Sequence, residues 1–207
     1  MTDEKRNVTV HSTRIAYKGR YSIEEAEFSF DRASGPGRIE HAKREVFERG
    51  DSAAALLHDV ARDVIVLTEQ FRYPTYKKGP GYLLEVAAGS VEDGEDPADC
   101  IKRELMEETG YRAAQLTRIG AFYVSPGASS ERMFLYYAPV KPEDLVDPSA
   151  SGLAAEKEDV KRVEFDREEF LDKLEYGDFQ DAKIMIAGLW LKTQPRRGAP
   201  KGKPAKR

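Results

Sequence analysis

The sequence predicts an α+β protein, a strand-rich body with few helices. Segments of the first third are β-rich or alternate between apolar and polar residues, as strands with one buried face do. Residues 97–109 are flanked by the capping residues of a helix. Apolar residues within 182–190 recur at helical spacing. At 207 residues, one domain, or one domain with an appendage, is expected, and the sequence shows no internal repeat.

Eight segments are predicted to be strands, and glycine and proline separate several of them. They are residues 8–10, 24–30, 43–49, 53–57, 63–67, 82–88, 119–124 and 133–137. The fifth continues toward Phe71, and turns are marked by glycine and proline at residues 35–37 and 79–81.

The helix at residues 97–109 has both end signals. Asp96 is a suitable N-cap, Pro97 suits the first helical position, and Gly110 suits the C-terminal end. One apolar stripe, expected to face the core, is formed by Ala98, Ile101 and Leu105. A second helix begins near residue 182 and ends before Pro195.

Three carboxylates share one face of the first helix. Glu104, Glu107 and Glu108 stand at i, i+3 and i+4, where like charges repel by a few tenths of a kcal/mol per pair. A projection at about 100° per residue places Glu108 nearest the apolar stripe, Glu104 next and Glu107 farthest out. A hard divalent cation would relieve the repulsion. A bare E-x-x-E-E is usually a solvated acidic face, so the surrounding pattern decides between these interpretations.

That surrounding pattern is G-x5-E-x7-R-E-U-x-E-E-x-G-U, with U a bulky apolar or aromatic residue, and it runs without a departure from Gly89 to Tyr111. It is the motif of the Nudix hydrolases, which this chain resembles. The resemblance implies the Nudix fold, an α/β/α sandwich with a mixed sheet. It also implies binding of Mg²⁺, with Mn²⁺ as an alternative, and hydrolysis of a nucleoside diphosphate linked to another moiety. Arg103 and Glu95 are expected to pair and fix the loop.

A proline narrows the resemblance to one branch. Pro126 follows Gly110 by sixteen residues, which is typical of ADP-ribose pyrophosphatases and is shared by GDP-mannose hydrolases. Further matches are KREVFERG (43–50), EQFRYPTY (69–76), LLEVAAG (83–89) and GLAAEKEDV (152–160). The branch implies a β-rich dimerisation segment at residues 1–48, a Nudix domain at 49–194, and a homodimer whose subunits share their sites.

The resemblance also implies a metal site. The backbone carbonyl of Ala88 would bind the cation together with Glu104 and Glu108, and Glu107 would contribute through water. A glutamate of the late loop acts in this branch as general base or extra ligand, and the matching residues are Glu156 and Glu158. The choice between these two stays open.

Four further residues are expected near the substrate. Arg44 and Arg72 match arginines that the branch uses near the nucleotide, although each also suits a surface strand. Ser125 is expected either to bind substrate or to cap a turn. Glu85 is expected either to support the metal site or to balance an arginine.

Hydrolysis of ADP-ribose to AMP and ribose 5-phosphate is the leading hypothesis. A hydrolase of GDP-mannose or another nucleotide sugar is the main alternative, since Pro126 does not separate the two. A Nudix fold kept as a non-catalytic binding module is less favoured because all the motif glutamates are present. A triphosphatase of mutagenic nucleotides is disfavoured by the proline and by the long segment before the motif.

Composition excludes several other classes of protein. The chain is 40% apolar, enough for a core, and no run approaches eighteen uncharged apolar residues, so no membrane span is expected. The N-terminus lacks a signal-like apolar stretch, so a cytoplasmic protein is expected. The single cysteine, Cys100, leaves no internal disulfide, and we expect it on the helix face away from the core stripe.

Charge is distributed unevenly along the chain. The net charge is −4, but residues 195–207 hold six basic residues and no acid, which leaves a body near −10. This segment is predicted to be a disordered, solvated tail rather than an arm for nucleic acid or membrane, because its charges are separated and it has no aromatic residue. The acidic body also makes nucleic acid an unexpected partner.

Overall fold

The computed structural model describes residues 6–152 and 159–195. These residues divide into two compact units, of which the smaller comprises residues 6–51 and 122–132 and the larger comprises residues 52–121, 133–152 and 159–195. Apart from Pro195, the segment predicted as a basic tail lies outside the described residues.

The smaller unit contains a three-stranded antiparallel sheet. Its strands, β1 (Val8–Lys18), β2 (Ser22–Asp31) and β3 (Arg38–Glu48), follow one another in the order β1-β2-β3. All three are longer than predicted: β1 extends the predicted strand at its C-terminal end, β2 at both ends and β3 at its N-terminal end. Every residue of β1 is exposed.

The larger sheet has seven strands and is mixed. Its strands are β4 (Ser52–Asp59), β5 (Val64–Phe71), β6 (Tyr82–Glu85), β7 (Ala87–Ser90), β8 (Thr117–Tyr123), β9 (Arg132–Val140) and β10 (Val160–Asp166). The order is β10-β5-β4-β9-β8, with β6 beside β5 and β7 beside β4. Strand β4 runs parallel to β9 and antiparallel to β5 and β7, so the predicted mixed sheet is confirmed.

One edge of β4 is shared by two strands, and this arrangement creates the place where the motif lies. The second half of β4 pairs with β5 from Leu57 to Asp59, whereas the first half pairs with β7 from Ser52 to Ala55. Strand β7 therefore fills the gap where β5 diverges. The motif's first residue, Gly89, lies on β7.

Among the described residues, four α-helices accompany the sheets: α1 (Tyr73–Tyr76), α2 (Pro97–Thr109), α3 (Arg167–Tyr176) and α4 (Ala182–Thr193). Alternate residues of β4 face opposite sides of the sheet. Ala53, Ala55 and Leu57 join the core cluster that contains α2. On the other face His58 bonds Tyr137, whose ring packs on the Trp190 ring of α4. The result is a helix–sheet–helix sandwich, which confirms the predicted fold class.

Helix α2 has the predicted ends. Asp96 accepts a hydrogen bond from the Ala98 amide at 2.7 Å, and Gly110 adopts φ 76, the left-handed conformation that suits a glycine. Ile101 and Leu105 of the predicted stripe are completely buried.

The prediction for Cys100 was wrong. Its side chain is fully buried in the core cluster, and its thiol donates to the carbonyl of Ser90 on β7 at 3.4 Å. Helix α2 packs against both β4 and β7 of the larger sheet. Its buried face is therefore wider than the single predicted stripe. Burial raises the pKa of Cys100 to about 12, so the thiol stays protonated.

Helix α3 was not predicted, whereas α4 confirms the periodicity seen near the C-terminal end. Most of α3 is charged, and its buried apolar contacts are only Phe170 and Leu174, too few to give a clear period. Helix α4 begins after Asp181, whose side chain accepts from the Lys183 amide, and ends before Pro195. Within the described ranges no helix is long and apolar enough to cross a membrane.

Candidate active site

The three motif glutamates lie on α2 in the predicted order of burial. Glu108 is 4% exposed, and the side chains of Glu104 and Glu107 are 14% and 25% exposed. The order follows from the helix projection, because Glu108 is closest to the buried stripe. Two of the three carboxylates are thus largely withdrawn from water.

Gly89 brings the backbone of β7 against the carboxylate of Glu104. A Cβ atom at position 89 would lie 1.9 Å from Glu104 Oε1 and 2.0 Å from its Cδ. Only glycine leaves this space to the carboxylate. The neighbouring residue on β7 is Ala88, the predicted carbonyl ligand.

Arg103 connects the glutamates of the motif. Its guanidinium donates to Glu104 Oε1 at 2.8 Å and to Glu107 Oε2 at 3.3 Å, and it lies 3.4 Å from Glu95 Oε1. The expected Arg103–Glu95 pair is therefore present, and the same arginine also neutralises the helix face. The pKa of Glu95 is lowered by the backbone amide of Glu92 and then by Arg103.

The donors present fit a hard divalent cation. Glu104 and Glu108 supply partly desolvated carboxylate oxygens beside the β7 backbone, and oxygen ligands are what Mg²⁺ and Mn²⁺ prefer. Within residues 6–152 and 159–195 no group of three or more His, Cys, Asp or Glu side chains is arranged to hold a metal by itself. A cation here would need backbone or ligand oxygens in addition to side chains.

Glu85 takes part in a chain of partly buried ion pairs that includes Arg72. Glu85 Oε2 accepts from Arg72 Nε at 2.6 Å, and Glu85 Oε1 accepts from Lys183 Nζ at 3.0 Å. Lys183 also donates to Asp181 Oδ1 at 2.8 Å. Although burial raises the pKa of Glu85, Lys183 and Arg72 hold it below its ordinary value. Glu85 thus balances an arginine, one of the two roles expected for it.

Lys183 was not among the predicted site residues. It lies on α4, 98 residues after the glutamate that it binds, so no local pattern connects the two. The available signal was its place two residues after Asp181, the helix N-cap.

The other two predicted substrate contacts belong to the smaller unit, whereas the glutamates belong to the larger one. Arg44 lies exposed on β3 and donates to the Lys43 carbonyl at 2.7 Å. The carbonyl of Ser125 accepts from the amides of Ala128 and Ser129, which closes a turn.

The late-loop candidates Glu156 and Glu158 lie outside the described residues, but the chain on either side is described. The Gly152 amide donates to the carbonyl of Glu107 at 3.1 Å, and the Val160 amide donates to the carbonyl of Ser151 at 3.0 Å. Both ends of the segment therefore begin beside the C-terminal part of α2.

Comparison with known proteins identifies the same family as the motif does. The NUDIX domain family matches residues 48–187. A GDP-mannose pyrophosphatase of Pectobacterium atrosepticum is 36% identical over 162 residues, which cover 77% of this chain and 82% of that protein. An ADP-ribose pyrophosphatase of Escherichia coli is 33% identical over 193 residues, which cover 92% of this chain and 90% of that protein.

A solved structure supports the fold. The crystal structure of an ADP compounds hydrolase superposes with a TM-score of 0.68 and 22% identity, covering 92% of this chain and 97% of that one.

The chain belongs to the Nudix family, because the family match spans most of its length and the motif is complete. It is a hydrolase that acts on a phosphoanhydride bond, as the motif predicted. Hydrolases of this family generally use divalent metal ions, which agrees with the donor set on α2.

Proposed function

We propose that this protein hydrolyses ADP-ribose to AMP and ribose 5-phosphate in the presence of Mg²⁺. The observation that carries the proposal is the placement of the Glu104 carboxylate in the space that Gly89 leaves, with Glu108 buried one turn further along α2. An E. coli ADP-ribose pyrophosphatase aligned over 92% of this chain supports the substrate.

In this proposal Glu104, Glu108 and the carbonyl of Ala88 hold the metal, with Glu107 contributing through water. Bound Mg²⁺, or Mn²⁺ in its place, would neutralise charge on the diphosphate and lower the pKa of a coordinated water. Arg103 offsets the repulsion between the glutamates by pairing with both Glu104 and Glu107. Phosphoryl transfer needs this kind of positioning and charge balance more than covalent chemistry.

The water that attacks the diphosphate needs a base. Glu156 or Glu158 is proposed for this role, because the late loop begins at Gly152, which is bonded to the backbone of Glu107. A carboxylate there would hold the water and take its proton.

The substrate's charged part is assigned to arginines. Arg72 would bind phosphate or base, and its pairing with Glu85 fixes the guanidinium in one orientation. Arg44 and Ser125 are proposed to complete the nucleotide contacts. Glu85 acts here through Arg72 rather than on the substrate.

GDP-mannose is the second candidate substrate. The relative from P. atrosepticum, 36% identical, is a GDP-mannose pyrophosphatase. The same metal ligands and mechanism would serve this substrate, so only the base and sugar contacts would differ.

Turnover of the purified protein separates the candidates. ADP-ribose, GDP-mannose and 8-oxo-dGTP are supplied in parallel with Mg²⁺. An added phosphatase releases phosphate from the monoester products of the first two, and inorganic pyrophosphatase replaces it for 8-oxo-dGTP, whose terminal phosphate a phosphatase would itself remove. We expect the highest kcat/KM with ADP-ribose. Preference for GDP-mannose would overturn the substrate while keeping the site, and preference for 8-oxo-dGTP would overturn both substrate assignments.

Glu108→Gln tests the metal assignment. The substitution keeps the shape of the side chain but removes its charge, so kcat should fall by about 100-fold or more while the protein stays folded. Asp99→Asn, an exposed change on the same helix, is the matched control and should leave kcat unchanged. Undiminished turnover by Glu108→Gln would contradict the assignment.

We also propose that residues 1–48 form a dimerisation segment ahead of a Nudix domain at 49–194. The support is the exposed apolar surface of β1, where four large side chains are 53–63% exposed: Val8, Val10, Ile15 and Tyr17. Sedimentation velocity at micromolar concentration should give a homodimer, and a monomer would count against this proposal.

A further inference from the structure

Helix α2 carries its negative charges at the unfavourable end. The C-terminal end of a helix has the equivalent of about half a negative charge, so cations are stabilising there and anions are not. Glu104, Glu107 and Glu108 lie in the last two turns, and within the fully described helix the last turn contains no basic residue. Arg103 of the same helix pairs with Glu104 and Glu107, so a cation at the last turn itself must come from another element.

Arg162 on β10 supplies such a charge. Its Nη1 donates to the carbonyl of Thr109, the last residue of α2, at 2.9 Å. Its guanidinium also lies over the ring of Tyr111, 5.9 Å from the centroid, within cation–π range. One side chain thus holds both the end of the helix and the residue that follows its terminal glycine.

The sheet fixes Arg162 itself. Arg162 is paired with Thr68 of β5 in the antiparallel register that joins β10 to β5 along seven residues. Its side chain is partly buried, which limits the positions that the guanidinium can take. The end of α2 is therefore tied to the rigid larger sheet rather than to a loop.

Neighbouring contacts strengthen the same region. The amides of Val146 and Asp147 donate to the carbonyl of Gly110, and Arg62 donates to the hydroxyl of Tyr111 at 3.1 Å. A Cβ at position 110 would lie 1.7 Å from the Asp147 carbonyl oxygen, so the backbone segments at Gly110 and Asp147 are in close contact. Of the two arginines, Arg162 is the one that binds the helix backbone.

We propose that Arg162 is a positioning residue for the metal site: by binding the Thr109 carbonyl and the Tyr111 ring, it sets the orientation of the last two turns of α2 and so of Glu104 and Glu108. The inference rests on the proposed function, in which these glutamates hold the cation. Residues that orient metal ligands without touching the metal typically change its affinity by 10–100-fold.

The sign of the effect separates positioning from simple electrostatics. Arg162 is positively charged and close to the carboxylate-bearing end of α2, so a through-space effect alone would repel a cation. Its removal would then tighten metal binding. If Arg162 acts by positioning, its removal loosens metal binding, although the local charge becomes more negative.

Binding of Mn²⁺, measured by the EPR signal of the free ion with the full chain and no substrate, provides the test. Arg162→Met should raise the Mn²⁺ dissociation constant by about tenfold or more. Lys161→Met is the matched control, because it removes the same charge from the adjacent residue of β10, whose side chain points to Glu69. This control should bind Mn²⁺ as the unmodified protein does.

Arg162→Lys gives a second test that does not depend on the methionine variant folding. It keeps the charge but lacks the planar group that binds the carbonyl and stacks on the ring together. Positioning predicts an intermediate loss of Mn²⁺ affinity, whereas an electrostatic role predicts none. Unchanged or tighter binding by either folded variant overturns the proposal. If the unmodified protein binds no Mn²⁺, the metal assignment itself fails, and that outcome is distinct.

Discussion

The two sheets of this protein differ in what covers their strands. All eight residues of β4 in the larger sheet are buried, whereas all eleven residues of β1 in the smaller sheet are exposed. Yet β1 is not a polar strand, since Ile15 and Tyr17 are among its large exposed apolar residues. The larger sheet has its own core, and the smaller one presents an apolar surface that it does not cover itself.

This difference separates two sources of stability. Helices cover both faces of β4, so its burial depends only on contacts within one chain. A sheet face that keeps apolar residues in water gains little from folding alone, and it gains more when another surface covers it. The larger unit should therefore behave as a self-sufficient domain, and the smaller one should be sensitive to association.

A matched pair of truncations should show the largest contrast. Leu57→Ala removes a fully buried side chain of β4 and should lower the free energy of unfolding by about 2–5 kcal/mol. Ile15→Ala removes an exposed one and should cost less than about 0.5 kcal/mol in the monomer. Urea denaturation at a concentration where the protein is monomeric measures both. Equal losses would mean that β1 has a core of its own.

A single methyl group in the larger sheet should affect activity more than stability. Gly89→Ala places Cβ where the Glu104 carboxylate lies, and the flexible end of Glu104 must move away. A displacement of about 1 Å at a catalytic group can lower kcat/KM by about 100-fold. Gly120→Ala on β8 is the control, because no described atom lies within 4 Å of its Cβ position. Full activity of Gly89→Ala would show that Glu104 can act from another position.

A charge on β1 should act through association alone. Ile15→Glu places a carboxylate on the apolar surface, and burying it in a dimer would raise the dimer dissociation constant by about tenfold or more. The unfolding of the monomer should change little. Thr117→Glu, at an exposed position of β8, serves as the comparison. Sedimentation equilibrium that gives the same dissociation constant for both variants would exclude β1 as the interface.

Local features were predictable from the sequence, and contacts distant in sequence were not. The ends of α2 and the burial order of its glutamates followed from Asp96, Gly110 and the helix period, which act within a few residues. The burial of Cys100 depends on β7, a neighbour that only the tertiary fold brings to the helix. The contact between Arg162 and Thr109 joins residues 53 positions apart, and no pattern in either segment indicates it.

The smallest predicted effect is a pH dependence that arises in the covered sheet. His58 of β4 is buried, its Nε2 pairs with Asp63 at 3.0 Å, and its Nδ1 lies 2.7 Å from the Tyr137 hydroxyl. Burial lowers the pKa of His58, although Asp63 opposes the shift. The carboxylate pairing indicates that Nε2 donates, so Nδ1 of the neutral ring accepts from Tyr137.

The lowered pKa of His58 makes acid destabilising through this residue. The unfolded chain takes up the proton near pH 6.5, its ordinary value, while the folded protein resists it to lower pH. The contribution of neutral His58 to the free energy of unfolding is therefore complete above about pH 6.5. It is lost as the pH falls toward the folded-state pKa, and the free energy of unfolding then decreases by no more than about 1.4 kcal/mol per pH unit. His58→Gln, compared with the unmodified protein by urea unfolding at pH 7.5 and 5.5, should reduce the loss on acidification. An equal loss in both proteins would mean that other groups, and not this buried ring, set the acid sensitivity of the larger sheet.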